Sequence, residues 1–259
     1  MKKILLLGLL MALAACSAEE KEPKNVILLI GDGMGEAEIS ATRNYEFDSG
    51  PGIFLDTMQN TASGIVVSKR NDNPDKYAFV GDSASGGTAL ATGELTSVRR
   101  IATTAQFGKP IKTIAEEAKE KGYKVGLVTT AVITDATPAS FAAHADDRYC
   151  MKYGDSACGA DSVPIIDQMI ALDVDVMLGG GYQLLPALKD EGTIQDYAIS
   201  SGYTLVTDKK GLETASAANL WGIFADYHMP RPWQSEDGRA AEVVTVGDDG
   251  RVVFPEAQK

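Results

Sequence analysis

Asn25-Val26-Ile27-Leu28-Leu29-Ile30-Gly31-Asp32-Gly33-Met34-Gly35, NVILLIGDGMG, is an uninterrupted apolar run that ends in a glycine-rich turn. Val26 to Ile30 has no polar alternation, which predicts a parallel strand covered on both faces. A glycine turn after such a strand resembles a dinucleotide-binding loop, but that fingerprint needs a third glycine where this chain has Glu36. Asp32 is a second objection, because a carboxylate there repels a phosphate unless a cation lies between. Two roles for Asp32 stand side by side: a ligand for a divalent cation, or the cap of a helix starting near Met34.

Further along, Ile111, Ile114, Ala115 and Ala118 recur at helical spacing, with Pro110 suited to the first turn and Gly122 to the end. Val125 to Thr130 reads as the next buried strand. Val163 to Leu172 is helical in spacing, followed by Val174-Asp175-Val176-Met177-Leu178 and the glycine turn Gly179-Gly180-Gly181. Ile194 to Ile199 reads as a helix, Tyr203 to Val206 as a strand and Trp221 to Phe224 as another. This alternation predicts an α/β fold, a mostly parallel central sheet with helices on both faces. In such sheets ligands gather beyond the carboxyl ends of the strands. Val243-Val244 and Val252-Val253 flank Gly247-Asp248-Asp249-Gly250 and read as a hairpin.

The 259 residues are enough for a sizeable core. A net charge of -12, from 36 acidic and 24 basic residues, argues against nucleic acid, whose binding rests on Lys and Arg neutralising phosphates. Lys2-Lys3 and the apolar run Ile4 to Ala14 form a short secretory signal rather than a membrane span. It ends in Leu13-Ala14-Ala15-Cys16, which resembles a bacterial lipobox with Cys16 as the lipidated residue. The expected organisation is therefore a signal peptide over 1–15, a polar tether over 16–24 and an α/β domain over 25–259. That places the chain in the periplasm, lipid-anchored, with Ser17 pointing to the outer membrane. The same oxidising compartment favours a disulfide between Cys150 and Cys158.

Two more segments carry chemistry. Gly81-Asp82-Ser83-Ala84-Ser85-Gly86-Gly87 opens a small-residue helix with Ser83 in its first turn, beside free N–H groups and the positive end of the helix dipole. Ser83 lacks the Gly-x-Ser-x-Gly elbow, and neither histidine, His144 or His228, forms a triad pattern, so a metal ion is the remaining route to an activated serine. A plain N-cap is the simpler role for this serine-rich start. Asp135 and Thr137, in Thr134-Asp135-Ala136-Thr137-Pro138, offer a carboxylate and a hydroxyl to magnesium if the chain is extended there. Thr137-Pro138 also reads as a helix N-cap followed by proline. Arg148, beside the expected disulfide, suits a clamp on two phosphate oxygens.

Taken in order and spacing, NVILLIGDGMGEAE, GDSASGGTALATG, TDATPASFAAH with Asp146 to Cys150, and DVMLGGG resemble the bacterial alkaline phosphatases. The likeness is strong over residues 24–182, looser to about 233 and absent beyond. It implies phosphomonoester hydrolysis through a phosphoserine on Ser83, with two zinc ions and one magnesium. It implies that Asp32 bridges a zinc and the magnesium, that Asp135 and Thr137 bind the magnesium, and that Ser83 meets a zinc. Arg148 would hold the phosphate and Asp82 would orient Arg148; small phosphomonoesters are the implied substrates and a homodimer the family's habit.

The family's other ligands, including three histidines, come from a C-terminal half, whereas this chain has two histidines. The expectation is the N-terminal portion of a longer parent, with incomplete zinc sites and little or no activity of its own. Two other readings are a lipid-anchored phosphate-binding remnant without catalysis and another hydrolase or mutase of the same superfamily.

Overall fold

The computed structural model describes residues 25–47, 50–152, 154–159, 162–182, 193–230, 245–246 and 252–253. The chain divides into two compact units, Met1–Pro51 and Gly52–Lys259. The signal segment, the tether and Cys16 lie outside the described residues.

In the first unit, Val26 to Ile30 is irregular, with all five side chains exposed, where a buried strand was expected. A parallel strand needs neighbours to take its N–H and C=O groups. Among the described residues of this unit there is no other strand to do so. After a turn in which Met34 N–H donates to Gly31 C=O (3.1 Å), helix α1 spans Glu36–Phe47. Its start is tied by Gly35 N–H to Glu38 Oε2 (2.8 Å).

The second unit carries a parallel sheet. In chain order come a 3-10 turn at Phe54–Thr57, helix α2 (Ser83–Thr92), α3 (Ile114–Glu120), strand β1 (Gly126–Val132) and α4 (Ala136–Ala142). Then follow α5 (Ile165–Ala171), β2 (Val176–Gly180), α6 (Ile194–Ser200), β3 (Thr204–Val206), α7 (Lys209–Thr214) and β4 (Leu220–Ile223). The strand order is β1-β2-β4-β3, with every pair parallel. A short antiparallel pair, β5 (Thr245–Val246) with β6 (Val252–Val253), agrees with the expected hairpin, its first strand two residues later than read. The core gathers Ile133, Ile165, Ile166, Met169, Val174, Met177, Trp221 and Ile223, all essentially inaccessible. Tyr197 and Tyr203 meet Trp221 edge-on at 6.3 and 6.2 Å, and Tyr203 O–H donates to Val174 C=O (2.8 Å).

Several local expectations are corrected. Among the described residues strand β1 lies at the end of the sheet with alternating exposure, Val128 being 73% accessible, so it is covered less than its apolar run implied. Helix α3 begins after Thr113, whose side chain accepts from Glu116 N–H while Glu116 accepts from Thr113 N–H. That capping box, absent at Pro110, sets the start, and Pro110 instead sits in an isolated bridge with Thr103. Gly179 and Gly180 belong to β2 rather than to a turn. A Cβ on Gly179 would lie 2.9 Å from Thr129 Cγ2, and one on Gly180 would overlap the Tyr227 carbonyl, so close approach is what requires glycine there.

Candidate active site

Helix α2 starts where Asp82, in extended backbone, caps it. The Asp82 carboxylate accepts from Ser85 N–H (3.0 Å) and Ser85 O–H (2.8 Å), and Ser85 Oγ accepts from Asp82 N–H (3.4 Å). The cap role thus falls to Asp82 and Ser85, which leaves Ser83 at the first helical position without capping duty. Ser85 is further fixed by a buried hydroxyl contact with Ser68 (2.6 Å). The small residues of α2 let it lie against α4: a Cβ on Gly87 would come 2.9 Å from Ser140 Oγ and 3.0 Å from Ser140 Cβ. Ser140 O–H in turn reaches Ala84 C=O (3.3 Å) and Ala136 C=O (2.8 Å).

Helix α4 follows the carboxyl end of β1, as ligand placement in parallel sheets requires. Its N-cap is Asp135, which accepts from Ala136 N–H (2.7 Å), so Pro138 is the third helical residue and not the first. Thr137 therefore lies in a helical turn, not in the extended chain that was expected to aim it alongside Asp135. The capping carboxylate satisfies a free helix N–H, which favours the helix over extension.

Arg148 joins these two helix starts. Its Nη1 donates to Ser83 Oγ (3.2 Å) and Asp82 Oδ2 (3.4 Å), and its Nη2 to Asp135 Oδ1 (2.7 Å). Four of the predicted site residues are thus brought together: Ser83, Asp82, Asp135 and Arg148. Burial opposes the charge on Arg148, but the bond to Asp135 and the charges of Asp135 and Asp82 outweigh it and hold its pKa above the usual arginine value. Among the described residues, Arg148 Nε is buried without a hydrogen-bond partner. Cys150 and Cys158 are joined as a disulfide two residues beyond Arg148. Asp32 lies in the first unit, exposed, at the turn before α1.

Two carboxylates face one guanidinium here, leaving a local charge of about -1 that disfavours a phosphate dianion unless a cation is added. Asp135, Thr137 and Ser83 are oxygen donors of the kind magnesium takes. Among the described residues no three His, Cys, Asp or Glu side chains come together to hold a metal ion. A catalytic zinc normally has three protein ligands, so these residues alone do not complete such a site, and no chemical step is derived through a metal.

The histidines are structural. His144 bridges Ala102 C=O (2.8 Å) and Glu116 Oε1 (3.1 Å), and His228 Nδ1 accepts from Val132 N–H (3.1 Å). Sequence reasoning passed over Arg99. Its backbone is left-handed, φ 71°, a conformation costing a non-glycine residue roughly 1–2 kcal/mol. Its N–H donates to Asp82 Oδ2 (3.0 Å). The signal available was a matched pair of charge doublets, Arg99-Arg100 and Asp146-Asp147.

Comparison with known proteins places the chain among phosphatases. The family model described as alkaline phosphatase matches residues 23–242. Streptomycin-6-phosphate phosphatase of Streptomyces griseus is 38% identical over 245 residues, covering 88% of this chain and 54% of that protein. Alkaline phosphatase of Escherichia coli K12 is 37% identical over 240 residues, covering 84% and 50%. The solved alkaline phosphatase of the Antarctic bacterium TAB5 matches with a TM-score of 0.61 and 30% identity over 80% of this chain and 55% of that one. A mutant of it, described with Mg bound in the M3 site, matches with the same score at 32% identity. The chain spans about half the length of the curated relatives it matches.

Proposed function

The chain belongs to the alkaline phosphatase family, and from that premise we propose that it carries the nucleophile and phosphate clamp of a phosphomonoester hydrolase. The observation that carries this reading is the contact of the Arg148 guanidinium with Ser83 Oγ, Asp82 and Asp135. The Ser83 oxygen attacks phosphorus, forming a phosphoserine and expelling the alcohol; water then attacks the same phosphorus and frees Ser83 and inorganic phosphate. Arg148 holds the non-bridging oxygens through its fork of N–H groups, and Asp82 orients it. The N–H groups at the start of α2 favour the negative charge on the transferring group.

Zinc and magnesium are the metals the family resemblance implies, with Asp32, Ser83, Asp135 and Thr137 as this chain's contribution. Small phosphomonoesters are the substrates, a homodimer is the expected assembly, and Cys16 is the expected lipid anchor of a periplasmic, outer-membrane protein. The lipobox-like Leu13 to Cys16 and the disulfide support export.

Two measurements test the reading. With magnesium present to balance the two carboxylates, Arg148→Ala should weaken inorganic phosphate binding by about a hundredfold in calorimetry, as loss of a bidentate charge-assisted contact implies. Whatever hydrolysis of 4-nitrophenyl phosphate the chain shows with zinc and magnesium added should disappear with Ser83→Ala. Unchanged affinity in the first variant sinks the clamp, and a surviving rate in the second sinks the nucleophile.

A further inference from the structure

Arg99 takes no part in the chemistry above, yet its N–H and C=O bond to Asp82, the cap before Ser83, and to Arg148, the arginine that touches Ser83. Its N–H donates to Asp82 Oδ2 (3.0 Å), and its C=O accepts from Arg148 N–H (2.8 Å). One residue therefore links the cap of α2 to the arginine of the proposed phosphate clamp. The side chain holds the same arrangement: Nε and Nη2 donate to Asp147 Oδ2 at 2.9 and 2.5 Å. Both the Arg99 and Arg148 guanidinium carbons lie near the Tyr149 ring centre, at 5.1 and 5.8 Å.

The neighbours repeat the pattern. Arg100 pairs with Asp146, and Ile101 and Ala145 exchange two backbone hydrogen bonds of 2.9 Å each. The segment 99–101 thus runs against 145–148 with two arginine–aspartate pairs across it. The segment is also tied to α2, because Ala102 N–H donates to Thr88 Oγ1 (2.9 Å).

We propose that Arg99, paired with Asp147, is a positioning residue. The ion pair holds a strained turn in the conformation that directs one peptide group at Asp82 and the other at Arg148, and so sets the Arg148 guanidinium against Ser83. The inference rests on the reading of Ser83 and Arg148 as nucleophile and clamp. A left-handed arginine persists only where its surroundings determine it; released from Asp147, it relaxes and turns both peptide groups away. The Arg99 side chain is 48% exposed and that of Asp147 20%. Pairs this accessible contribute little to global stability, so their loss should appear locally.

The test uses the whole chain with Arg99→Ala and Asp147→Asn, the latter keeping an oxygen for Tyr149 N–H. Amide hydrogen exchange by NMR is read at Arg148 and at Met177, in the central strand β2, alongside calorimetric titration with inorganic phosphate in the presence of magnesium. The expected result is Arg148 exchange about tenfold faster, Met177 unchanged and phosphate affinity about tenfold lower. The double variant should be no worse than the worse single one, and Arg99→Lys should recover part of the loss. Unchanged exchange at Arg148 in both single variants overturns the proposal, as does equal acceleration at Met177, which marks a merely structural role. A wild-type chain that binds no phosphate even with magnesium present, while Arg148 exchange responds as expected, leaves the positioning role standing and overturns the clamp.

Discussion

The two ends of the β1–β2 pair use the same ingredients differently. At the start of β2, Asp175 is buried and accepts from Lys119 Nζ (3.0 Å), Lys124 Nζ (2.5 Å) and Val125 N–H (2.8 Å), a carboxylate closed in by neighbours. Beyond the end of β1, Asp135 holds an arginine that also touches a serine hydroxyl. Two lysines meet two carboxylates at the first end, since Lys119 also reaches Asp173 (3.1 Å), and carboxylates outnumber the cation at the second. The first arrangement is complete without a ligand, whereas the second has charge left to balance. A carboxylate–cation contact by itself therefore says little about function; what it leaves unbalanced says more.

Substitutions at the two ends should separate cleanly. The largest effect expected is on turnover: Ser83→Ala should lower whatever rate the chain shows with zinc and magnesium added by up to on the order of a thousandfold, about 4 kcal/mol, with the thermal midpoint nearly unmoved. Asp175→Ala should do the reverse, costing about 3 kcal/mol in denaturant unfolding because Lys119 loses a buried partner, while phosphate affinity stays put. A drop in phosphate affinity with Asp175→Ala would erase the distinction between the ends.

Acid probes the closed end next. Burial alone would raise the pKa of Asp175, but Lys124, Val125 N–H and Lys119 prevail and bring it down to about 2. The native state then prefers the charged carboxylate, so its stabilisation is full above the ordinary value near 3.8 and is lost as pH falls through about 2. The loss is about 2 kcal/mol. Chemical denaturation between pH 5 and 2 should show it in the parent and not in Asp175→Asn; parallel curves would contradict the assignment. The smallest effect concerns the contact between α2 and α4. Gly87→Ala gains about 1 kcal/mol of helix propensity and loses about 1–3 by crowding Ser140. The net expectation is about 1 kcal/mol of destabilisation with a several-fold fall in phosphate affinity. A stabilised variant with unchanged binding would show that this contact is slack.

Much of the site was legible because helix starts announce themselves locally. Asp82-Ser83 marks the start of one helix, and Thr137-Pro138 announces the other two residues late, because Asp135 rather than Thr137 caps it. The parallel sheet was legible from alternation alone, down to Tyr203–Val206 and Trp221–Phe224 within a residue at each end. What escaped depends on partners distant in sequence. Val26 to Ile30 has the composition of a buried strand, but composition cannot supply the neighbour that makes one. Gly179 and Gly180 read as a turn because the Tyr227 carbonyl that demands their smallness is some 50 residues away, a separation no local rule reaches. Arg99 escaped for the same reason, since its meaning lies in Asp82, Asp147 and Arg148 together.

The Cys150–Cys158 bond makes the history of a preparation part of any measurement on it. Cys150 N–H donates to Asp147 C=O (3.0 Å) and Cys150 C=O accepts from Ile165 N–H (2.9 Å), so the crosslinked residue anchors the arm that carries Arg148 to helix α5. Closing a loop of this size is worth roughly 2–3 kcal/mol. Material made in a reducing compartment starts without this bond, and partial oxidation during handling would leave two covalent species, one with the arm stapled and one without. Free-thiol counts by mass spectrometry should accompany every affinity measured, because a biphasic titration would otherwise be mistaken for two binding sites.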